Sequence, residues 1–511
     1  MFRLAFLLAL LFVPLWGADA VADDMPRPEH PRPDQVRSFW LNLNGTWDFE
    51  FDDEDRGLAE EWFHGTHAYQ DKILVPFAYQ SKRSGIGTND PHPIVWYHRS
   101  FDIPENFVGK RVLLHFGAVD YEARVYLNGR QMGLHKGGHV SFSFDVTGHL
   151  SPTGNELVLR VEDTESKLQP RGKQYWEEIP EDIWYTRTTG IWQTVWLEAV
   201  GQTWIRDFKV TPRVASSSID VEVDIADQDA AWQMELLSRN RATGEEASRT
   251  FPAGIDRLSL VVGNTLSLWS PENPNLYDLV LRLKRAEGGE VLDRVDSYFG
   301  MRSVSVLGNQ FYLNGEPYYQ KLILDQGYWP ETVLTAPSDA ALKYDVEMTK
   351  KFGFNGARKH QKVEDPRWLY WADTLGLLVW GEMPSQHGAY VREMEGPFLS
   401  EWQAALRRDY NHPSIVTWVP FNETWGIEGT HIDPRVQRWV ERVYHATKAI
   451  DPHRPVCDNS GWDHVLTDIA DYHDYAGNGA QLQRRFQMTK AGHYARLQEG
   501  RFMFFAEGRS Y

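Results

Sequence analysis

Two glutamates in the C-terminal part of the chain stand where paired carboxyl groups can do acid–base chemistry. Glu423 follows an apolar run at residues 415–421, in the stretch PFNETWG, and Glu507 follows a run at 502–505, in the stretch FFAEG. A glycosidic bond is cleaved by such a pair when one carboxylic acid protonates the leaving oxygen and the other carboxylate attacks the sugar. Both glutamates lie just past predicted strands, so their carboxyl groups could flank one such bond.

The neighbours of Glu423 distinguish it from other acidic residues of the chain. Asn422 can hydrogen-bond a sugar hydroxyl, and the indole of Trp425 can stack on a sugar face. Without these neighbours, Glu423 would be interpreted as a solvated loop acid. Glu428 and Asp409 are alternative acids, but neither lies at the end of a predicted strand, so both are interpreted as surface charges.

The region from residue 299 to 511 alternates helical stretches with short apolar runs, as β-α units do. Helices are predicted at 340–351, 366–375, 401–410, 434–450 and 481–498. Seven strands are predicted, at 318–323 and near Asn355, Val379, Thr417, Val456, Tyr472 and Phe504. The predicted fold is a (β/α)8 TIM barrel, which carries its active site at the C-terminal ends of its strands. No eighth strand precedes Tyr511, so we expect this barrel to be incomplete and C-terminally truncated.

The residues before the barrel predict two β-domains and an export signal. Residues 39–202 are rich in alternating strands and predict a jelly-roll β-sandwich, and 203–298 predict an immunoglobulin-like β-sandwich. Residues 23–38, rich in proline and charge, are expected to form an exposed lead-in. Residues 1–22 combine a basic start, a short apolar run and small-residue cleavage sites, which predicts a signal peptide and a periplasmic or extracellular protein.

Composition narrows the class of partner. The formal net charge is −18, from 53 basic and 71 acidic residues, which argues against nucleic acid or an anionic membrane as a partner. Cys457 is the only cysteine, so no internal disulfide can form. No metal-ligand spacing is evident, and hydrolysis by two carboxylates requires no cofactor. A carbohydrate is the expected partner, and a homo-oligomer is left open.

Several motifs in a fixed order resemble glycoside hydrolase family 2, the group of β-galactosidases, β-glucuronidases and β-mannosidases. The resemblance covers nearly the whole chain after the signal. Its motifs are LNGTWD (43–48), VWYHR (95–99), VYLNG (125–129), TGIWQTVW (189–196), WSPENPNLY (269–277), FGMR (299–302), LNGEP (313–317), GFNGAR (353–358) and PFNETWG (420–426).

The resemblance also implies roles for individual side chains. It implies that Glu423 is the acid/base, that Asn422 binds near the sugar 2-hydroxyl, and that Arg358 keeps the nucleophile ionised. The remaining candidates for the sugar site are Asp325, Trp329, His360, Glu382, Trp425, His473 and Tyr475. For His360 and Glu382, a structural partner is an equal alternative. His473 or Tyr475 is expected to hydrogen-bond the nucleophile.

Glu507 departs from the family pattern. The family nucleophile is usually followed by an aromatic residue and then glycine, whereas Glu507 is followed directly by Gly508. With Glu507 as nucleophile, the predicted reaction is a retaining double displacement, and the negative charge of Glu507 is expected to raise the pKa of Glu423. A β-galactoside is the first expected substrate, and a β-glucuronide or β-mannoside the alternative. A catalytically impaired carbohydrate-binding protein is the alternative from another class.

Overall fold

The computed structural model of the chain describes residues 25–226, 231–255 and 257–490, which form two β-sandwiches and a barrel domain. The predicted signal peptide at residues 1–22 lies outside the described residues, so export stays a prediction. Within the described part of the chain, no helix combines the length and the apolar character that crossing a bilayer requires.

The first sandwich consists of antiparallel strands. They are β1 (Trp40–Asn42), β2 (Gly45–Phe51), β3 (Asp71–Val75), β4 (Ile94–Phe101), β5 (Arg111–Phe116), β6 (Val119–Asp120), β7 (Glu122–Leu127), β8 (Arg130–Lys136), β9 (Phe142–Asp145), β10 (Asn155–Glu162), β11 (Gly190–Ile191) and β12 (Val195–Val200). A sheet in the order β3-β2-β4-β10-β7-β8 faces a sheet in the order β1-β12-β5-β9. Aliphatic and aromatic side chains from both sheets form one buried core, which includes Trp47, Val95 and Leu159.

The second sandwich is smaller. Its strands are β13 (Trp204–Arg213), β14 (Ser218–Ala226), β15 (Trp232–Asn240), β16 (Glu246–Pro252), β17 (Leu258–Val261), β18 (Tyr277–Arg285) and β19 (Val291–Phe299). The sheets run in the orders β13-β14-β17 and β16-β15-β18-β19. Alternate residues of β15 and β18 are buried, because successive side chains of a strand point to opposite faces of its sheet.

A small antiparallel sheet connects this sandwich to the barrel domain. It consists of β20 (Val304–Leu307), β21 (Gln310–Leu313) and β22 (Glu316–Pro317). The barrel elements are β23 (Leu322–Asp325), α1 (Asp339–Lys351), β24 (Gly356–Lys359), α2 (Pro366–Leu375), β25 (Leu378–Glu382), α3 (Glu395–Asp409), β26 (Ile415–Val419), β27 (Phe421–Asn422), α4 (Pro434–Ile450), β28 (Asn459–Ser460) and α5 (Gly479–Lys490).

Parallel pairing defines the barrel wall. Strands β23, β24, β25 and β26 pair side by side, and β27 pairs with β28. The interruption between β26 and β27 lies at Pro420, which has no backbone N–H to donate. The helices begin at capping residues: the side chains of Ser338, Asp365 and Asp433 accept backbone N–H groups in the first turns of α1, α2 and α4.

Two predictions about this fold are wrong among the described residues. Residues 469–472 form no strand, because the side chains of Asp468 and Asp471 bind the backbone of Val456 and Gly461 and take the place of a strand ladder. The lead-in is not exposed either. Arg37, for example, is buried between Asp293 of the second sandwich and Glu198 of the first. The predicted seventh strand at 502–505 lies outside the described residues, and the incompleteness of the barrel stays a prediction.

Arg302 connects the second sandwich to the barrel. Its buried guanidinium donates from Nε to Pro413 O and from Nη2 to Ile415 O, each at 2.7 Å. Hydrogen bonds from a charged donor are stronger than neutral ones, and a buried acceptor that loses its donor is costly. These two bonds therefore stabilise the contact between the domains.

We expect Arg302→Met to destabilise the protein by roughly 2–4 kcal/mol, because Pro413 O loses a charged donor in a buried place. The measurement is the apparent melting temperature by circular dichroism. Arg285→Met is the control, since the Arg285–Glu290 pair is exposed and such pairs contribute little. Equal melting temperatures for the two variants would contradict this role of Arg302.

Candidate active site

The carboxyl ends of the barrel strands bring four predicted site residues to one mouth. Arg358 lies in β24, Glu382 ends β25, and Asn422 ends β27 directly before Glu423. Because the strands run parallel, these ends open on the same side of the barrel. Arg358 contacts Glu382 and Asn422 directly, and His473 connects it to Glu423.

Arg358 is the centre of this contact network. Its guanidinium donates from Nε to Glu382 Oε2 at 2.5 Å and from Nη2 to Asn422 Oδ1 at 2.5 Å. A third nitrogen, Nη1, donates to His473 Nε2 at 2.9 Å. One buried cation therefore fixes side chains from two other strands and from the segment after β28.

The charges of Arg358 and Glu382 keep each other ionised. Burial lowers the pKa of Arg358, but the charge and hydrogen bond of Glu382, together with the charge of Asp471, hold that pKa above its ordinary value. Burial likewise raises the pKa of Glu382, and Arg358 with His360 outweighs it and holds the carboxyl below its ordinary pKa. The pair is therefore an ionised one in a nearly water-free place.

Glu423 receives two hydrogen bonds on one oxygen. His473 Nδ1 lies 2.6 Å and the Tyr475 hydroxyl 2.5 Å from Glu423 Oε1. Arginine can only donate, so His473 Nε2 must accept from Arg358 and the imidazole proton must lie on Nδ1, from which it is donated to Glu423. The network around Arg358 thus extends through His473 to the predicted acid/base.

These donors decide the charge of Glu423 in the ligand-free site. Burial alone would raise the pKa of Glu423, but the interactions with His473, Tyr475 and Trp462 together outweigh it and lower that pKa to about 2. The described groups therefore act against the predicted rise in pKa. The predicted rise depends on the charge of Glu507, which lies outside the described residues, and so it stays a prediction. The same holds for the predicted contact of His473 or Tyr475 with the nucleophile.

The backbone at Glu423 lies in the left-handed region, with φ 47° there and φ 66° at Thr424. Residues with a side chain seldom adopt this conformation, so surrounding bonds must maintain it. Glu423 N donates to Ser460 O at 2.9 Å, and Thr424 N donates to the side chain of Asn459 at 3.0 Å. Strand β28 thereby sets the direction in which the Glu423 side chain leaves the barrel wall.

Two other predicted residues have contacts outside this network. Asp325 forms an ion pair with Lys359 at 2.8 Å and accepts Gly327 N at 2.9 Å. Trp329 pairs through its backbone with Val333 and packs against the barrel core. The described contacts therefore do not support the prediction that these two residues line the cleft.

His360 is a partnered histidine, because its Nδ1 lies 2.7 Å from Glu382 Oε1.

Residues of the first sandwich also reach the barrel mouth, which the sequence did not predict. The ring of Trp184 meets that of Trp425 edge to face at 5.7 Å, and His387 lies 4.9 Å from Trp184. Lys173, from the same sandwich segment, lies with its Nζ 5.1 Å over the Trp184 ring. The aromatic residues at 175–176 and 184–185 could have indicated a binding surface in this segment. The sequence does not show, however, that the segment packs against the barrel mouth.

Solved structures share this architecture. A β-glucuronidase from Ruminococcus gnavus in complex with N1-substituted uronic isofagomine matches with a TM-score of 0.74 and 22% identity, over 89% of this chain and 81% of that one. The same enzyme in complex with D-glucuronic acid matches with a TM-score of 0.72, over 86% of this chain and 74% of that one. At this identity the likeness shows the fold alone.

Sequence relatives carry two different names. A β-glucuronidase of Paenibacillus borealis is 26% identical over 453 residues, which is 81% of this chain and 72% of the relative. A putative β-glucuronidase of Formosa agariphila is 28% identical over 345 residues, and a β-galactosidase of Thermoanaerobacter pseudethanolicus is 27% identical over 410 residues. The matches with these last two cover 65% and 75% of this chain but only 40% and 51% of the relatives' lengths.

Three domain models of one family match the chain in succession. The sugar binding domain of glycosyl hydrolases family 2 matches residues 40–200, the central family 2 domain matches 203–302, and the family 2 TIM barrel domain matches 304–493. Their order is that of the two sandwiches and the barrel in the structure. The chain belongs to glycosyl hydrolase family 2.

Proposed function

We propose that this chain hydrolyses a terminal β-glycosidic bond with retention of configuration, with Glu423 as the acid/base. The observation that carries the proposal is the convergence of Arg358, Glu382, Asn422 and Glu423 on one barrel mouth. Asn422 is held through Arg358 beside the predicted acid, where its amide N–H₂ is available to a sugar hydroxyl. The second carboxylate of the proposal is Glu507.

The two steps of the reaction need Glu423 in opposite states. In the first step Glu423 must carry a proton for the leaving oxygen, and in the second it must take a proton from the attacking water. The bonds from His473 and Tyr475 favour the ionised state, which suits the second step. A negative nucleophile next to Glu423 favours the protonated state, which suits the first. In the covalent intermediate the nucleophile is bonded to the sugar and no longer carries its negative charge. The pKa of Glu423 would therefore fall again between the two steps.

We propose a β-glucuronide as the first candidate substrate and a β-galactoside as the second. Two of the relatives described above are named β-glucuronidases, and the relative matched over the largest share of its own length is one of them. The sequence alone favoured a β-galactoside, and one relative named β-galactosidase keeps it as the second candidate. Turnover of a set of p-nitrophenyl β-D-glycosides, with the glucuronide, galactoside and mannoside, tests this order. Turnover of none of them would favour the catalytically impaired alternative.

We expect Glu423→Gln to lower kcat by roughly 10²–10⁴-fold on glycosides with poor leaving groups, because no acid then protonates the leaving oxygen. With a 2,4-dinitrophenyl glycoside, which needs no protonation, azide should restore turnover, since azide attacks the intermediate without a base. The product should be a β-glycosyl azide, detectable by NMR. Glu428→Gln, at an exposed acid of the same loop, is the control and should remain near wild type.

We expect Tyr475→Phe to move the alkaline limb of the kcat/KM profile upward by roughly 0.5–1 pH unit. Loss of the hydroxyl removes a donor that favours the ionised carboxyl, so the pKa of Glu423 rises and its proton is kept to higher pH. The shift is modest because Tyr475 is 63% exposed. Tyr344→Phe, at an equally exposed tyrosine of α1, is the control. An unchanged or lowered alkaline limb in Tyr475→Phe would contradict the assignment of Glu423 as the acid.

A further inference from the structure

A segment of the first sandwich is fixed onto the barrel mouth and presents a lysine there. The backbone N–H groups of Arg171 and Gly172 both donate to Ser385 O at 3.0 Å, and Gly172 O accepts from His387 Nε2 at 2.8 Å. Gly172 has φ +60°, and a Cβ at this position would lie 2.2 Å from Gln361 O. Only glycine permits this approach, so the next residue, Lys173, is held in a fixed position.

Lys173 is buried, with 6% of its surface exposed, and its Nζ lies over the ring of Trp184. The charged groups that act on it are all residues of the candidate active site. Burial lowers the pKa of Lys173, the carboxylates of Glu423 and Glu382 oppose that effect, and Arg358 reinforces it. Lys173 in turn lowers the pKa of His360. Because Trp184 meets Trp425 of the barrel mouth, the buried ammonium lies beside that mouth and is largely shielded from bulk water.

Two other buried lysines show how this chain normally compensates such a charge. Lys359 forms ion pairs with Asp325 and Glu364, and Lys362 forms one with Glu364 and donates to two backbone carbonyls. Among the residues that the structure describes, Lys173 has no ion pair, and its ammonium lies against the face of the Trp184 ring. A buried ammonium without a carboxylate is costly, and a π face compensates only a part of that cost.

We propose that Lys173 binds the carboxylate of the sugar in a β-glucuronide substrate, and so determines the preference of this site for a uronide. The inference rests on the proposed glycosidase function and adds a residue from another domain to it. A neutral hexoside offers only hydroxyl groups to this cation, whereas a uronide supplies the missing counter-charge in a place where water is largely excluded. The sugar carboxylate would then supply the counter-charge that Lys173 does not find among the described residues.

The first experiment compares Lys173→Met with wild type on p-nitrophenyl β-D-glucuronide and on p-nitrophenyl β-D-glucoside and β-D-galactoside. We expect kcat/KM on the glucuronide to fall by roughly 30-fold or more, mainly through KM, and kcat/KM on the neutral glycosides to stay within about threefold. Lys173→Arg should retain part of the glucuronide activity. Lys167→Met is the matched control, because Lys167 is exposed on the same segment and lies over the ring of Trp176.

Four outcomes would overturn the proposal. An equal loss on charged and neutral sugars would assign Lys173 to folding or to the nucleophile, and no loss on the glucuronide would leave it without a role in recognition. If the wild-type protein cleaves only neutral glycosides, a uronide is not its substrate. With 4-carboxyphenyl β-D-glucoside as substrate, a selective loss in Lys173→Met would assign the lysine to a carboxylate on the leaving group and not on the sugar.

A binding measurement separates this inference from the proposed hydrolysis. D-glucuronate should raise the melting temperature of the wild type and of Glu423→Gln, whereas D-glucose at the same concentration should not. Lys173→Met should lose the glucuronate effect, and Lys173→Arg should keep it. If no glycoside is hydrolysed but glucuronate binding depends on Lys173, the hydrolase proposal fails and the lysine assignment holds. If neither glucuronide turnover nor glucuronate binding is found, the lysine assignment fails.

Discussion

The guanidinium of Arg358 has to keep its charge in a place from which water is nearly excluded, and the barrel mouth is arranged around that need. Glu382 supplies the counter-charge, while Asn422 and His473 accept the remaining hydrogen bonds. Each partner belongs to a different strand or to the segment after β28. A planar donor with a fixed fork can therefore hold three chain segments in one geometry, which a flexible ammonium would not do.

The orientation of Glu423 depends on this arrangement indirectly, through His473. His473 can donate to Glu423 only because Arg358 occupies its other ring nitrogen and so determines the tautomer. Behind His473, the hydroxyl of Ser460 lies 3.2 Å from its Nε2 and donates to Asp471. A buried chain of polar groups is rigid when every member has a partner. The left-handed backbone at Glu423 is maintained from the same side, by β28.

The contact between domains is part of the site. Main-chain bonds at Arg171 and Gly172 fix the first sandwich to the β25–α3 connection, and Trp184 closes over Trp425. Trp184 and Lys173 of the first sandwich thus supply an aromatic surface and a cation to the barrel mouth, although they lie about two hundred residues earlier in the chain. The lead-in supports this packing, since Arg27 of that segment pairs with Asp365 at the start of α2.

The sequence predicted the family, the succession of two sandwiches and a barrel, and the helices at 340–351, 366–375 and 434–450, because these features depend on local patterns. It also placed Arg358, Glu382, Asn422 and Glu423 at strand ends, where a parallel sheet must bring them together. It did not predict that Asp325 would pair with Lys359, or that Lys173 and Trp184 would reach the mouth. Those contacts join segments far apart in the chain, and periodicity within one segment carries no information about them. The irregular course after β28 was missed for a related reason, since aspartate side chains replace its strand ladder.

The balance of charge in the cleft links these features to the chemistry. Among the described residues, Arg358 and Glu382 compensate each other, whereas Lys173 and Glu423 each carry a charge that a ligand can alter. A uronide carboxylate next to Lys173 would remove that cation from the surroundings of Glu423 and so favour the protonated acid. A charged substrate would then both satisfy the lysine and prepare the proton donor for the first step. A neutral glycoside would leave the charge of the ammonium uncompensated and would provide no such preparation of the proton donor.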